Sequence, residues 1–232
     1  MTQHGPIEDK ALPSRLRAHV VTTGYRPSLH GYDVQSDLAR NYKHTDVIFT
    51  SLVGELPDDV VSEAFAVALT FVSTVTVAEA PAHAAVVARV CGPRASSMLS
   101  VAGTALAEQT RELLDEHAAI LPKLLVGALN GSAATFAPRS SDERGAVERL
   151  RVALGGFVRR VPALGYDIRL DTAIIATLVA CGLRDRELVE VAIVSARLPV
   201  VCAEALAWRP GALRDYPMDL PRFIYGDRNV DA

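Results

Sequence analysis

The stretch Ala64–Ala78 holds no charged residue and stops abruptly at Glu79. Wound as a helix it is apolar on every face, so it has to be covered by protein all round. It is also shorter than the roughly 20 apolar residues that a membrane-spanning helix needs. A chain built on such a segment must supply further helices to wrap it. Half of the 232 residues are hydrophobic and only 22% are charged, with a mean hydropathy of +0.20, which is the composition of a folded globule.

Helix signals dominate from Asp33 onward. Asp33 stands where it can cap Val34–Tyr42, Thr45 where it can cap Asp46–Val53, and Gly54-Glu55-Leu56-Pro57 breaks the chain. Asp58 then opens the apolar helix through Ala78. Pro81 suits the first turn of a second buried helix running to Val90, and Cys91-Gly92-Pro93 stops it. Ala95–His117 reads as a long helix, buried along its small apolar first half and emerging where Glu108, Arg111, Glu112, Asp115 and Glu116 add charge. Ile120–Phe136 is interrupted at Pro122 and Asn130-Gly131 and reads as two short helices or a turn-rich segment, followed by a linker, Ala137–Ser141.

Asp142 is a cap for a helix to about Arg160, and Asp171–Cys181 and Asp185–Trp208 close the core. Only His19–Thr23 has strand character. The expected class is therefore all-α, with an arm over residues 1–31 that could include one strand, a helical core over 32–209 and a tail over 210–232.

A net charge of -3 and a pI near 6.1 give no footprint for nucleic acid. The three cysteines, Cys91, Cys181 and Cys202, are widely spaced within apolar segments and form neither a disulfide framework nor a metal knuckle, so they read as core filler. The polar N-terminus lacks a signal peptide's apolar core. A reducing cytoplasm, with no membrane partner and no metal, is the expected setting.

Three early motifs, Leu29-His30-Gly31-Tyr32-Asp33-Val34, Asp37-Leu38-Ala39 and Gly54-Glu55-Leu56-Pro57, resemble in order and spacing the "RGYDI", "DLA" and "GELP" elements of citrate synthases. Ala82-His83 and Ala88-Arg89 resemble the family's buried helix whose histidine faces substrate, followed by the small residues Ser96-Ser97-Met98-Leu99. Leu170-Asp171 stands where the family has "NVD", Ser195-Ala196-Arg197 through Glu204 resembles its "ARxxGWxAHxxE" helix, and Pro221-Arg222-Phe223-Ile224-Tyr225-Gly226 its "RPRALYxG". Over about residues 15 to 227 the chain thus resembles a shortened member of the citrate synthase and citryl-CoA lyase superfamily.

That resemblance implies a multihelical fold and an enzyme that forms or cleaves a carbon–carbon bond between a short acyl-CoA and an oxoacid. The CoA thioester is a substrate and no cofactor is held permanently. Asp171 would be the base that takes the thioester's α-hydrogen and His83 would contact the oxoacid. Arg197 and Arg222 would bind its carboxylates, Arg197 through a bidentate pairing. The partners implied are acyl-CoA, an oxoacid or tricarboxylate and a second copy of the chain, with a different subunit that completes the site as the alternative.

The chain departs from the pattern at three points. The family's "GPLHGGA" is replaced by Glu108–His117, in which His117 is the one histidine; no histidine follows, so "GHR" is missing; and the arginine before the C-terminal Pro falls on Leu220, with Arg214 and Arg222 nearby. Loss of one oxyanion donor typically costs a factor of about 10²–10³, which motivates the alternative of a catalytically degenerate subunit or an oxoacid-binding protein that keeps the fold.

Plainer roles exist for each candidate. His83 suits a core histidine, Asp171 a helix N-cap, Arg89 a structural role, and Arg197 a partner such as Glu190 or Glu204. His30, His44 and His117 read as solvated.

Overall fold

In the computed structural model, which describes residues 18–92, 94–125, 136–209 and 211, the arm contributes two strands where one was expected, and a third follows just past its boundary. β1 (Val21–Thr22) pairs antiparallel with β2 (Ser28–Leu29), and β2 with β3 (Tyr32–Asp33). Leu29 faces Tyr32 across the two-residue loop His30-Gly31, both of which have positive φ (48° and 88°). A tight hairpin needs this backbone, and glycine supplies it without strain. The "HGYD" motif is thus a turn. His30 Nε2 lies 3.3 Å from the Ser51 carbonyl, which gives this histidine a local partner.

Asp33 caps as expected: Oδ1 accepts from Gln35 N at 2.9 Å and Ser36 N at 2.7 Å. The helix it starts is a π-turn, Val34–Leu38, running into α1 (Ala39–Asn41). α2 (His44–Val53) begins before the expected Thr45 cap, with Asp46 Oδ2 accepting from Lys43 N at 2.9 Å, and it ends at Gly54 (φ 91°). These elements form one compact unit, reaching Leu56; a second begins at Pro57.

In the second unit, α3 (Asp59–Val72) is capped by Asp58, whose Oδ1 accepts from Val61 N at 2.7 Å. It ends at Ser73, short of Ala78, and leaves the β-branched link Thr74–Val77 outside the helix. α4 (Ala80–Val90) carries Pro81 in its first turn and ends before Gly92 (φ 76°), as expected. α5 is Ala95–Glu116 and α6 is Leu121–Leu125. α7 (Ser141–Leu154) is capped by Ser140 and not by Asp142, and Gly155 (φ 51°) turns the chain into a 3₁₀ segment, Gly155–Arg160. α8 (Leu170–Ala180) and α9 (Arg186–Ala207) complete the unit. Helices dominate and the class is all-α. Among the described residues no helix is long and apolar enough to cross a membrane.

Two expectations about burial are corrected. The helix covered on all sides is α8, in which every residue from Thr172 to Val179 is buried; α3 keeps its burial to a stripe through Ala64, Phe65, Ala68 and Leu69 while Thr70 is exposed. In α5, burial follows the face and not the position along the helix: Met98, Ala102, Leu106, Thr110 and Leu114 are buried, whereas Leu99 and Val101 in the apolar half are exposed. A four-residue spacing keeps side chains on one face. Met98, Ala102 and Leu106 of that stripe pack with Ala85, Val86 and Val90 of α4 and Val201, Cys202 and Ala205 of α9. Fully buried alanines at the crossings allow close approach of the three helices. Cys181 and Cys202 are buried and Cys91 is exposed, so the filler reading applies to two of the three.

Candidate active site

The start of α8 gathers the first group of polar side chains. Its N-cap is Arg169, so Asp171 lies inside the first turn and is not the cap. Asp171 Oδ1 accepts from Thr172 N at 2.5 Å, from Thr172 Oγ1 at 3.0 Å and from Arg169 Nε at 3.2 Å, and lies 3.7 Å from His117 Nε2. All four contacts fall on one oxygen. The carboxylate is thereby fixed through Oδ1, and among the described residues Oδ2 has no partner.

His117 is fully buried, which overturns its reading as a solvated residue. Its position three residues after Leu114 continues the buried stripe of α5. Nδ1 lies 2.7 Å from the Leu113 carbonyl, so it carries a proton and donates. Nε2 lies 2.9 Å from Thr172 Oγ1. The threonine hydroxyl has one hydrogen for two neighbours, Nε2 and Asp171 Oδ1. If Nε2 is bare, the hydrogen goes to one of them; if Nε2 is protonated it donates to Oγ1, and the hydroxyl donates to Asp171.

Arg169, which the sequence reading passed over, is also buried. Its Nη2 donates to Glu116 Oε2 at 3.2 Å and its guanidinium lies 5.3 Å from the Phe136 ring centre. Only the Arg-Leu-Asp spacing hinted at it.

The second group centres on Arg197 of α9, which needs a buried anion as expected but takes it from Glu79, not Glu190 or Glu204. Nη2 pairs with Glu79 Oε2, and Nη1 donates to Gln109 Oε1 at 3.1 Å. Gln109 Nε2 donates to the same Glu79 oxygen at 3.1 Å, and Thr76 N donates to Glu79 Oε1 at 2.9 Å. Arg197 Nε is buried without a partner among the described residues, a state that typically costs about 1–3 kcal/mol.

Asp171 and Arg197, from different helices, line one pocket of about 170 Å³ together with Phe71, Val72, Thr74, Ile174, Ile175 and Ile193. That is smaller than the roughly 300–1,000 Å³ usual for a small-molecule site, and two charged side chains stand among its apolar ones. His83 lies on α4, half-buried and engaged by a neighbour, outside that lining. Arg222 lies outside the described residues. Arg89 Nε donates to the Trp208 carbonyl at 3.4 Å, as its structural reading implies.

No protein-family model matches the chain, and no curated protein sequence does. Among solved structures, the citryl-CoA lyase from Hydrogenobacter thermophilus aligns over 90% of this chain and 97% of its own, with a TM-score of 0.62 and 18% identity. The fold is citryl-CoA lyase-like. At that identity the likeness concerns the fold alone.

Two carboxylates are shifted by their surroundings, Asp171 on the pocket wall and Glu79, which pairs with Arg197 from outside that lining. Burial acts to raise Asp171, but His117, Arg169 and the Thr172 N–H outweigh it and hold the group below its ordinary range. Burial likewise opposes ionisation of Glu79, and the Thr76 N–H, Arg197 and Gln109 overcome it. A carboxyl whose folded-state pKa is depressed stabilises the fold above its unfolded value and loses that contribution as pH falls through the folded one. Thermal melts are therefore expected to show no loss from these groups between pH 7 and the ordinary values, 4.5 for Glu79 and 3.8 for Asp171, and a progressive loss below. In Glu79→Gln the part that begins near 4.5 should shrink.

Proposed function

We propose that the chain is a CoA-dependent enzyme that forms or cleaves the carbon–carbon bond between a short acyl-CoA and an oxoacid, with Asp171 as base and Arg197 as the group that binds an oxoacid carboxylate. The observation that carries this reading is the pairing of an anchored carboxylate, without a partner at Oδ2 among the described residues, with an arginine on the wall of one pocket. The citryl-CoA lyase-like fold supports it.

In the condensing direction Asp171 takes a hydrogen from the thioester's α-carbon and the electron pair left behind attacks the ketone carbon. The ketone oxygen gains a proton from water and protonated Asp171 returns its own to water, giving a hydroxyacyl-CoA that water can hydrolyse to a carboxylate and the free thiol. Cleavage runs the same steps backward: the hydroxyl gives its proton to water, the carbon–carbon bond breaks, and the thioester enolate takes a proton that Asp171 has drawn from water. A carboxylate held ionised is ready to accept a proton at neutral pH, and its fixed position contributes more than its modest basicity.

The test is incubation with acetyl-CoA or propionyl-CoA plus oxaloacetate, following free thiol, with citryl-CoA cleavage run in parallel. Turnover above background in either direction is the expected result. A well-folded sample inactive in both would shift the assignment to the second reading, an oxoacid-binding protein or inactive subunit. One observation favours that second reading: Arg197 is already occupied by Glu79.

A further inference from the structure

We infer that Glu79 is a built-in competitor for the oxoacid carboxylate: it pairs with Arg197 within the chain, and an anionic ligand binds by displacing it. The inference rests on the reading of Arg197 as the carboxylate-binding group. A guanidinium recognises a carboxylate by presenting two parallel N–H groups. Here that capacity is spent within the chain, because Nη2 pairs with Glu79 and Nη1 donates to Gln109, which in turn donates to the same Glu79 oxygen. Nη2 also lies 3.4 Å from the Thr74 carbonyl, while Nε is buried with no partner among the described residues. The arrangement holds the arginine closely yet leaves it one hydrogen bond short, and a turned guanidinium could satisfy Nε.

Exchange of one carboxylate for another leaves the charge around Arg197 unchanged, so the displaced group decides whether exchange is feasible. Glu79 is well placed to leave. It sits at the N-cap of α4 with extended backbone (φ -76°, ψ 141°), at the end of a link in which Thr74, Thr76 and Ala78 are exposed. Its side-chain contact to backbone is with Thr76 N, inside the same link. Once released, the carboxylate stays beside the N-terminus of α4, where negative charge is favourable. Thr74 lines the pocket, so the link that carries Glu79 also forms part of the wall the ligand meets. Glu79 thus sets how strongly a ligand must bind Arg197 before it is retained.

The test is calorimetric titration of oxaloacetate into the wild-type chain and Glu79→Gln, which keeps the length and an accepting oxygen but removes the competing charge. With the competitor weakened, the arginine is open in a larger fraction of molecules and the apparent affinity rises in proportion. A Kd lower by about tenfold in Glu79→Gln is expected. Equal or weaker binding by the variant, with wild-type binding intact, overturns the competitor role and leaves the functional reading standing. Absence of binding to either protein overturns the functional reading and this inference with it. If Glu79→Gln does not fold, hydrogen exchange on the wild-type chain decides: oxaloacetate should speed exchange at the Thr76 amide by releasing its Glu79 acceptor, and unchanged or slower exchange overturns the inference.

Discussion

Asp171→Asn is expected to reduce turnover by about 10²–10⁴-fold, the usual contribution of a positioned general base, while the protein stays folded and still binds oxaloacetate. Asparagine keeps the shape and can still accept from Thr172 and Arg169 through its amide oxygen, so the first turn of α8 has no reason to unravel. Arg197 belongs to a separate cluster with Glu79 and Gln109, so oxoacid affinity should change little. A steady-state assay beside a thermal melt separates the outcomes. Loss of activity together with loss of the cooperative melt would mean that Asp171 chiefly holds the helix start together.

His117→Ala is expected to cost about 2–4 kcal/mol of stability, as large-to-small changes in cores do. In a domain of this size that lowers Tm by roughly 5–15 °C. The substitution empties a fully buried site against Phe136, whose ring centre lies 4.9 Å away, and removes the acceptor or donor opposite Thr172 Oγ1. It also frees the Leu113 carbonyl near the end of α5. A solvated histidine would give a change within about 0.5 kcal/mol, so a melt of the variant discriminates sharply between the two placements.

His117 also marks how far the sequence could be read. Its burial was legible in the spacing Met98, Leu106, Thr110, Leu114, which predicts the inward face one turn further on. The surrounding charges, Asp115 and Glu116, point to an exposed end instead, because charge content along a helix does not tell which face is covered. The covered helix was misplaced for a related reason. Ala64–Ala78 is apolar enough for full burial, yet burial depends on neighbours, and α8 received them. Local signals served better: Asp33 and Asp58 as caps, Pro81 in a first turn, and stops at Gly54 and Gly92 all lie where expected, since each acts within a few residues of itself. The motif Asp171 and the motif Arg197 do share a pocket. The anion paired with Arg197 could not be found by local reading, because Glu79 lies 118 residues away in sequence and the nearer acids of α9 were the natural candidates.

Removal of a proton from the α-carbon of a thioester by Asp171 is reported by hydrogen exchange at that carbon, without requiring a complete reaction. Acetyl-CoA would be incubated in D₂O with the wild-type chain and with Asp171→Asn, alone and with oxaloacetate, and the acetyl group of recovered thioester and product weighed by mass spectrometry. Deuterium gained with the wild-type chain and not with the variant is the predicted result. Exchange at equal rates in both, or in neither, would contradict the assignment of Asp171 as the base.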